Sequence, residues 1–231
     1  MAILVYDGIT AAEALGPFEV FRRVPDVDVG FVARRPGPHS VHGRPGVLLA
    51  DRSLEDRPEP DVLVVPGGFG SRRLVRDACL VEWVARAHAT TQWTTAVSTG
   101  ALLLGAAGIL AGHDATTHWL VLDELTAFGA TPRAERVVAR GRLVTASGGP
   151  AAVELADLVV RRTFGDEVAD AARRSMTADA HRPLGARPSL IDAGGPTRVL
   201  PSAVAVAAGP YVLGGDDAAP RRRWSRRPVI D

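Results

Sequence analysis

Three side chains far apart in the chain have types and settings that could do nucleophilic or acid/base chemistry: Ser98, Glu13 and His118. Ser98 lies in QWTTAVSTGALLLGAAG, where a β-rich run over residues 93–97 stops at Ser-Thr-Gly and passes at once into a strong helix-forming run. Strand, abrupt turn and helix is the local reading. Such a turn projects its central side chain over the end of a sheet, beside the free N–H groups of the next helix. The small neighbours Ala96 and Gly100 are what a tight elbow needs, and the segment approaches G-x-S-x-G with alanine for the first glycine.

A hydroxyl placed there can attack an electrophilic carbon once a base takes its proton. Glu13 follows Thr10 at the S/T-x-x-E spacing, which starts a helix beyond the first strand and puts the carboxylate in its first turn. The same spacing serves a helix cap with no chemistry. In DVLVVPGGFG, Gly67 and Gly68 end an apolar strand and let backbone N–H groups approach a bound group closely, or they close an ordinary turn. His118, in DATTHW, would make with Ser98 a hydroxyl–base pair of the serine-hydrolase kind.

Other chemistries find little footing. His39 and His42 share a Pro/Gly-rich loop with no cysteine or acidic residue at ligand spacing, so no metal site is expected. Asp7-Gly8-Ile9-Thr10 lacks the G-x-G-x-x-G pattern of a dinucleotide site, and no cofactor is expected. Cys79 falls inside a helical pattern and reads as a buried or half-buried structural thiol. As the single cysteine it can form no internal disulfide, which fits a reducing compartment.

The elements that must hold these groups follow from the apolar pattern. Strands are expected over residues 2–6, 27–33, 46–50, 61–65 and 93–97, with a short pair at 136–138 and 143–145 around Arg140-Gly141. Helices are expected over residues 10–23, 72–88, 101–110, up to 127 after His118, and 151–174. Such alternation argues for an α/β fold with a doubly wound, mostly parallel sheet flanked by helices. Residues 1–175 read as one domain. Residues 176–231 form a tail rich in Pro, Gly, Ala and Arg that is expected to be partly disordered, and its RRRWSRR cluster reads as a solvated end.

The 231 residues carry a formal net charge of +1, and all 27 basic residues are arginine. That balance suggests neither a nucleic-acid nor a membrane partner. No apolar run reaches the ~18 residues of a membrane span, and the opening MAILVYDG has no secretory character, so a cytoplasmic protein is expected.

Taken together, YDGITAAEALGPFEVF, DVLVVPGGFG, AVSTGALLLGAAGILAGHDATTHW and VTASGGPAAVELA resemble the ThiJ/PfpI superfamily of the class I glutamine amidotransferase-like, flavodoxin-like fold. The nearest branch is that of isonitrile hydratases and of the ligand-sensing domains of certain AraC-type regulators. The resemblance covers about residues 2–175. It implies a nucleophile at Ser98, a supporting acid at Glu13, backbone donors for an oxyanion or ligand at Gly67, Gly68 and Thr99, and His118 lining the pocket. It also implies a small-molecule substrate or ligand and a homodimer.

Relatives usually carry cysteine at the elbow. A thiol is easily drawn into its thiolate, whereas a serine must give its proton to a base during attack. Three expectations stay open. Ser98 is a nucleophile in an isonitrile-hydratase-like lyase, with Glu13 or His118 as base. The domain binds a ligand without turning it over, the serine having silenced an enzyme. Or the chain is a serine hydrolase. The branch normally has aspartate at the position of Glu13, which moves the carboxylate by about one methylene.

Overall fold

The computed structural model describes residues 1–43 and 45–177. The elements run β1 (Ala2–Leu4), α1 (Ala11–Phe21), β2 (Gly30–Ala33), β3 (Gly37–Ser40), β4 (Val47–Ala50), β5 (Arg52–Ser53), β6 (Val62–Val65), α2 (Ser71–Leu74), α3 (Ala78–Thr90), β7 (Trp93–Val97) and α4 (Gly100–Ala106). They continue with β8 (Asp114–Ala115), a 3-10 segment (Trp119–Phe128), β9 (Thr131–Pro132), β10 (Val137–Arg140), β11 (Leu143–Ala146), α5 (Gly149–Phe164) and α6 (Asp166–Thr177). The tail expected over 176–231 lies outside the described residues, apart from the last two positions of α6.

Seven strands form one sheet in the order β10-β11-β7-β6-β1-β2-β5. Every pairing in it is parallel except that of β10 with β11. Every residue of β1, β2, β6, β7 and β11 is buried, as near-continuous apolar runs should be when helices cover both faces. The helices α1, α5 and α6 pack together as one layer. The second layer joins α3, α4 and the 3-10 segment, with α4 lying on β6 and β7.

Several local expectations are corrected. The pattern expected to make one helix over 72–88 breaks at Asp77, whose carboxylate accepts from the Leu80 N–H at 3.2 Å and caps α3 as a separate helix. On α3, Cys79 is exposed, not buried. The helix behind Ser98 ends at Ala106, since Gly108 takes a left-handed φ of 75°. Residues 119–128 are 3-10 and broken at Val121, whose φ of −128° is not helical. The turn-rich stretch after Arg35 contains β3, paired antiparallel with β4.

Candidate active site

The elbow after β7 is held in a conformation that few residues adopt. Ser98 has φ of 54°, in the left-handed region where an L side chain crowds its own backbone. Three bonds fix it there. The Ser98 N–H donates to the Ala146 carbonyl on β11 at 2.7 Å, and the Ser98 carbonyl accepts from Ala101 N–H at 3.1 Å and from the Thr117 hydroxyl at 2.7 Å. The turn also needs Gly100. A Cβ at that position would lie 2.0 Å from the Val65 carbonyl oxygen, so α4 can start this close to the end of β6 only without a side chain.

Glu13 reaches the elbow from α1. Its expected capping partnership does not form: Thr10 is the N-cap residue but makes no side-chain cap bond. The carboxylate instead accepts from Gly67 N–H at 2.8 Å, across 54 residues of sequence, with the Ser98 hydroxyl near enough to favour its charged form. Pro17 lies inside α1 and has no N–H to close on the Glu13 carbonyl one turn earlier. Burial pushes the Glu13 carboxyl up from an ordinary 4.5 to about 7, against the opposing pull of the Gly67 N–H and the Ser98 hydroxyl. At neutral pH the group is therefore divided between acid and carboxylate.

The other expected residues are nearby in different ways. Gly68 N–H donates to the Thr99 hydroxyl at 2.9 Å, and that hydroxyl donates back to the Gly68 carbonyl at 3.2 Å. Both glycine amides are thus engaged within the chain, Gly67 by Glu13 and Gly68 by Thr99. A Cβ on Gly67 would come within 2.7 Å of Glu13 Oε2 and of the Thr99 N and Oγ1, so these groups crowd around one bare backbone position. His118 is half-buried; its Nδ1 accepts from Leu120 N–H at 3.3 Å and its ring stacks on Trp119 at 5.7 Å. Among the described residues it makes no hydrogen bond to Ser98 or Glu13. The neighbouring Thr117 ties that segment to the elbow instead.

Sequence reasoning passed over two groups that build this site. Tyr6 closes the apolar run of the first strand, yet its buried hydroxyl donates to the Pro66 carbonyl at 2.8 Å. Thr117 sits one place before the histidine that drew attention. Phe69, Trp119 and Leu120, in the segments that carry Gly68 and His118, are exposed at 71%, 75% and 66%. The first of these follows Gly68 and the other two follow His118, and an Arg72–Glu124 ion pair at 2.8 Å links the two segments. Ser98 itself is only 3% exposed and Glu13 only 5%. Both residues therefore lie below the surface.

Residues 1–162 match the DJ-1/PfpI family. An isonitrile hydratase from Pseudomonas putida is 35% identical over 170 residues, covering 73% of this chain and 74% of that protein. The HTH-type transcriptional regulator CdhR from Pseudomonas aeruginosa is 29% identical over 122 residues, which span 52% of this chain but 36% of the regulator. Among solved structures, a ThiJ/PfpI family protein from Pseudomonas syringae superposes with a TM-score of 0.74 at 29% identity, covering 81% of this chain and 78% of that one.

Proposed function

The chain belongs to the DJ-1/PfpI family, and on that premise we propose that it is an isonitrile-hydratase-like enzyme that adds water to an isonitrile to give an N-substituted formamide. The observation that carries this reading is a buried Glu13 carboxyl, fixed by the Gly67 N–H at 2.8 Å beside the Ser98 elbow and lifted by burial to about 7. A proton donor and acceptor is thereby held against a strained elbow hydroxyl. No charged base is needed to ionise the serine beforehand.

Protonated Glu13 gives its proton to the terminal carbon of the isonitrile, which makes that carbon strongly electrophilic. The Ser98 oxygen bonds to the same carbon while the Glu13 carboxylate takes the hydroxyl proton, leaving an O-linked formimidate on Ser98 and Glu13 protonated again. Water then adds to the formimidate carbon. The bond from carbon to the Ser98 oxygen breaks, the proton returns to Ser98, and the formamide leaves. Each turnover consumes one isonitrile and one water. Activating the electrophile is what makes serine serviceable where a thiolate is usual. The terminal carbon of an isonitrile projects from a linear, two-atom group, which suits a buried serine; an ester carbonyl is flanked on both sides.

Incubating the protein with cyclohexyl isocyanide and following N-cyclohexylformamide tests the proposal. Turnover that Ser98→Ala and Glu13→Gln each reduce at least ~10²-fold supports it. No turnover in the unaltered chain, with robust turnover in Ser98→Cys, would overturn it.

A second reading rests on the closure of the same site and on the regulator relative: a binding domain that holds a small molecule without converting it. It predicts ligand-induced thermal stabilisation with no product. A serine hydrolase draws less support, because His118 makes no hydrogen bond to Ser98 among the described residues. The proposed protein acts on a small molecule as a cytoplasmic homodimer, without direct nucleic-acid binding. No helix among the described residues is long and apolar enough to cross a membrane.

A further inference from the structure

Tyr6 and Glu13 lie on opposite ends of one peptide plane. The Tyr6 hydroxyl donates to the Pro66 carbonyl at 2.8 Å, and the N–H of that same Pro66–Gly67 amide donates to Glu13 Oε2 at 2.8 Å. Both bonds are buried. The order is phenol O–H, amide carbonyl, amide N–H, carboxylate. Donation to an amide oxygen draws electron density from the nitrogen and makes the N–H a stronger donor, so bonds arranged in this way reinforce one another. The phenol also pins the peptide in rotation, and with it the direction in which the Gly67 N–H points.

We propose that Tyr6 is a positioning residue for the acid/base group of this site, acting on Glu13 through the Pro66–Gly67 peptide. The role rests on the reading of Glu13 as the proton carrier, although the coupling itself can be measured without turnover. Burial in the sheet raises the phenol above its ordinary range, with the Glu13 charge adding to the rise, so Tyr6 stays protonated and remains a donor at every working pH. Ser71 supports the arrangement from the other side: its hydroxyl donates to the Gly68 carbonyl at 2.7 Å and it also contacts the phenol. The groups facing the Glu13 carboxyl are the Gly67 N–H from the turn after β6, the Ser98 hydroxyl from the elbow and the Tyr6 phenol from the strand end. Among the described residues no charged side chain acts on it directly. The relayed hydrogen bond therefore has no nearby ion to mask it.

The experiment follows the Glu13 side-chain carboxyl by carbon NMR across pH in the full chain. Tyr6→Phe keeps the ring and removes only the donor. Its expected effect is a rise of roughly half a pKa unit at Glu13, a ~3-fold shift toward the protonated form at fixed pH. The chain has two tyrosines, Tyr6 and Tyr211, so uniform incorporation of a fluorinated, more acidic tyrosine strengthens the Tyr6 donor without a mutation. That protein is expected to shift Glu13 the opposite way. A Glu13 titration that both replacements leave unmoved would overturn the proposal even if turnover or stability changed. If the Glu13 titration moves as expected in a chain that makes no formamide, the relay stands and the hydratase reading alone fails.

Discussion

Replacing Glu13 by glutamine should remove a defined part of the pH dependence of stability. Burial lifts the folded-state carboxyl from 4.5 to about 7. A rise of about 2.5 in pKa is worth ~3 kcal/mol, at about 1.4 kcal/mol per unit. The sign follows from which state holds the proton. Between pH 4.5 and 7 the folded chain keeps a proton at Glu13 that the unfolded chain has lost, so the stabilisation is complete below about 4.5 and disappears as pH rises through about 7. Glutamine keeps an oxygen for the Gly67 N–H and cannot ionise. Urea unfolding of both proteins from pH 4.5 to 8 gives two curves whose difference isolates Glu13, because the other carboxylates and histidines titrate in both. Relative to Glu13→Gln, the unaltered protein should lose about 3 kcal/mol across this range. A flat difference, or one that favours the unaltered protein as pH rises, would refute a buried carboxyl at the elbow.

Other substitutions test the elbow itself. Ser98→Gly should be more stable than Ser98→Ala by ~1–2 kcal/mol in chemical unfolding, because only the alanine carries a Cβ through φ of 54°. Gly100→Ala places a Cβ 2.0 Å from the Val65 oxygen and 2.7 Å from the Pro66 oxygen, so a loss of at least about 3 kcal/mol, or failure to fold, is expected in the same assay. His118→Ala should lower formamide production by much less than the ~10²-fold cost of losing an acid/base group. A fluorophosphonate probe is expected to leave Ser98 unlabelled.

The elbow was legible because a strand run, a small-residue turn and a helix run follow one another within a dozen residues, and the physics of that turn is local. The proximity of Glu13 was legible only as far as its helix start. Its spacing from Thr10 reads equally as a cap, and what decides between the two is the Gly67 N–H, supplied by a different strand. Tyr6 was invisible for a related reason: at the end of an apolar run a tyrosine reads as core, and its hydroxyl partner lies 60 positions away. Local patterns also mislead at Cys79, because the 72–88 periodicity runs on through Asp77 while the helix capped there presents the thiol outward. Gly37–Ser40 carries no apolar alternation, so its pairing with Val47–Ala50 could not be seen from composition.

The account is tested most directly by rapid quenching of the protein with an isonitrile, followed by peptide mass analysis. It predicts an adduct of isonitrile mass on the peptide that contains Ser98, lost in Ser98→Ala together with formamide production. Formamide made at an undiminished rate by Ser98→Ala, with no adduct on the unaltered chain, would contradict it.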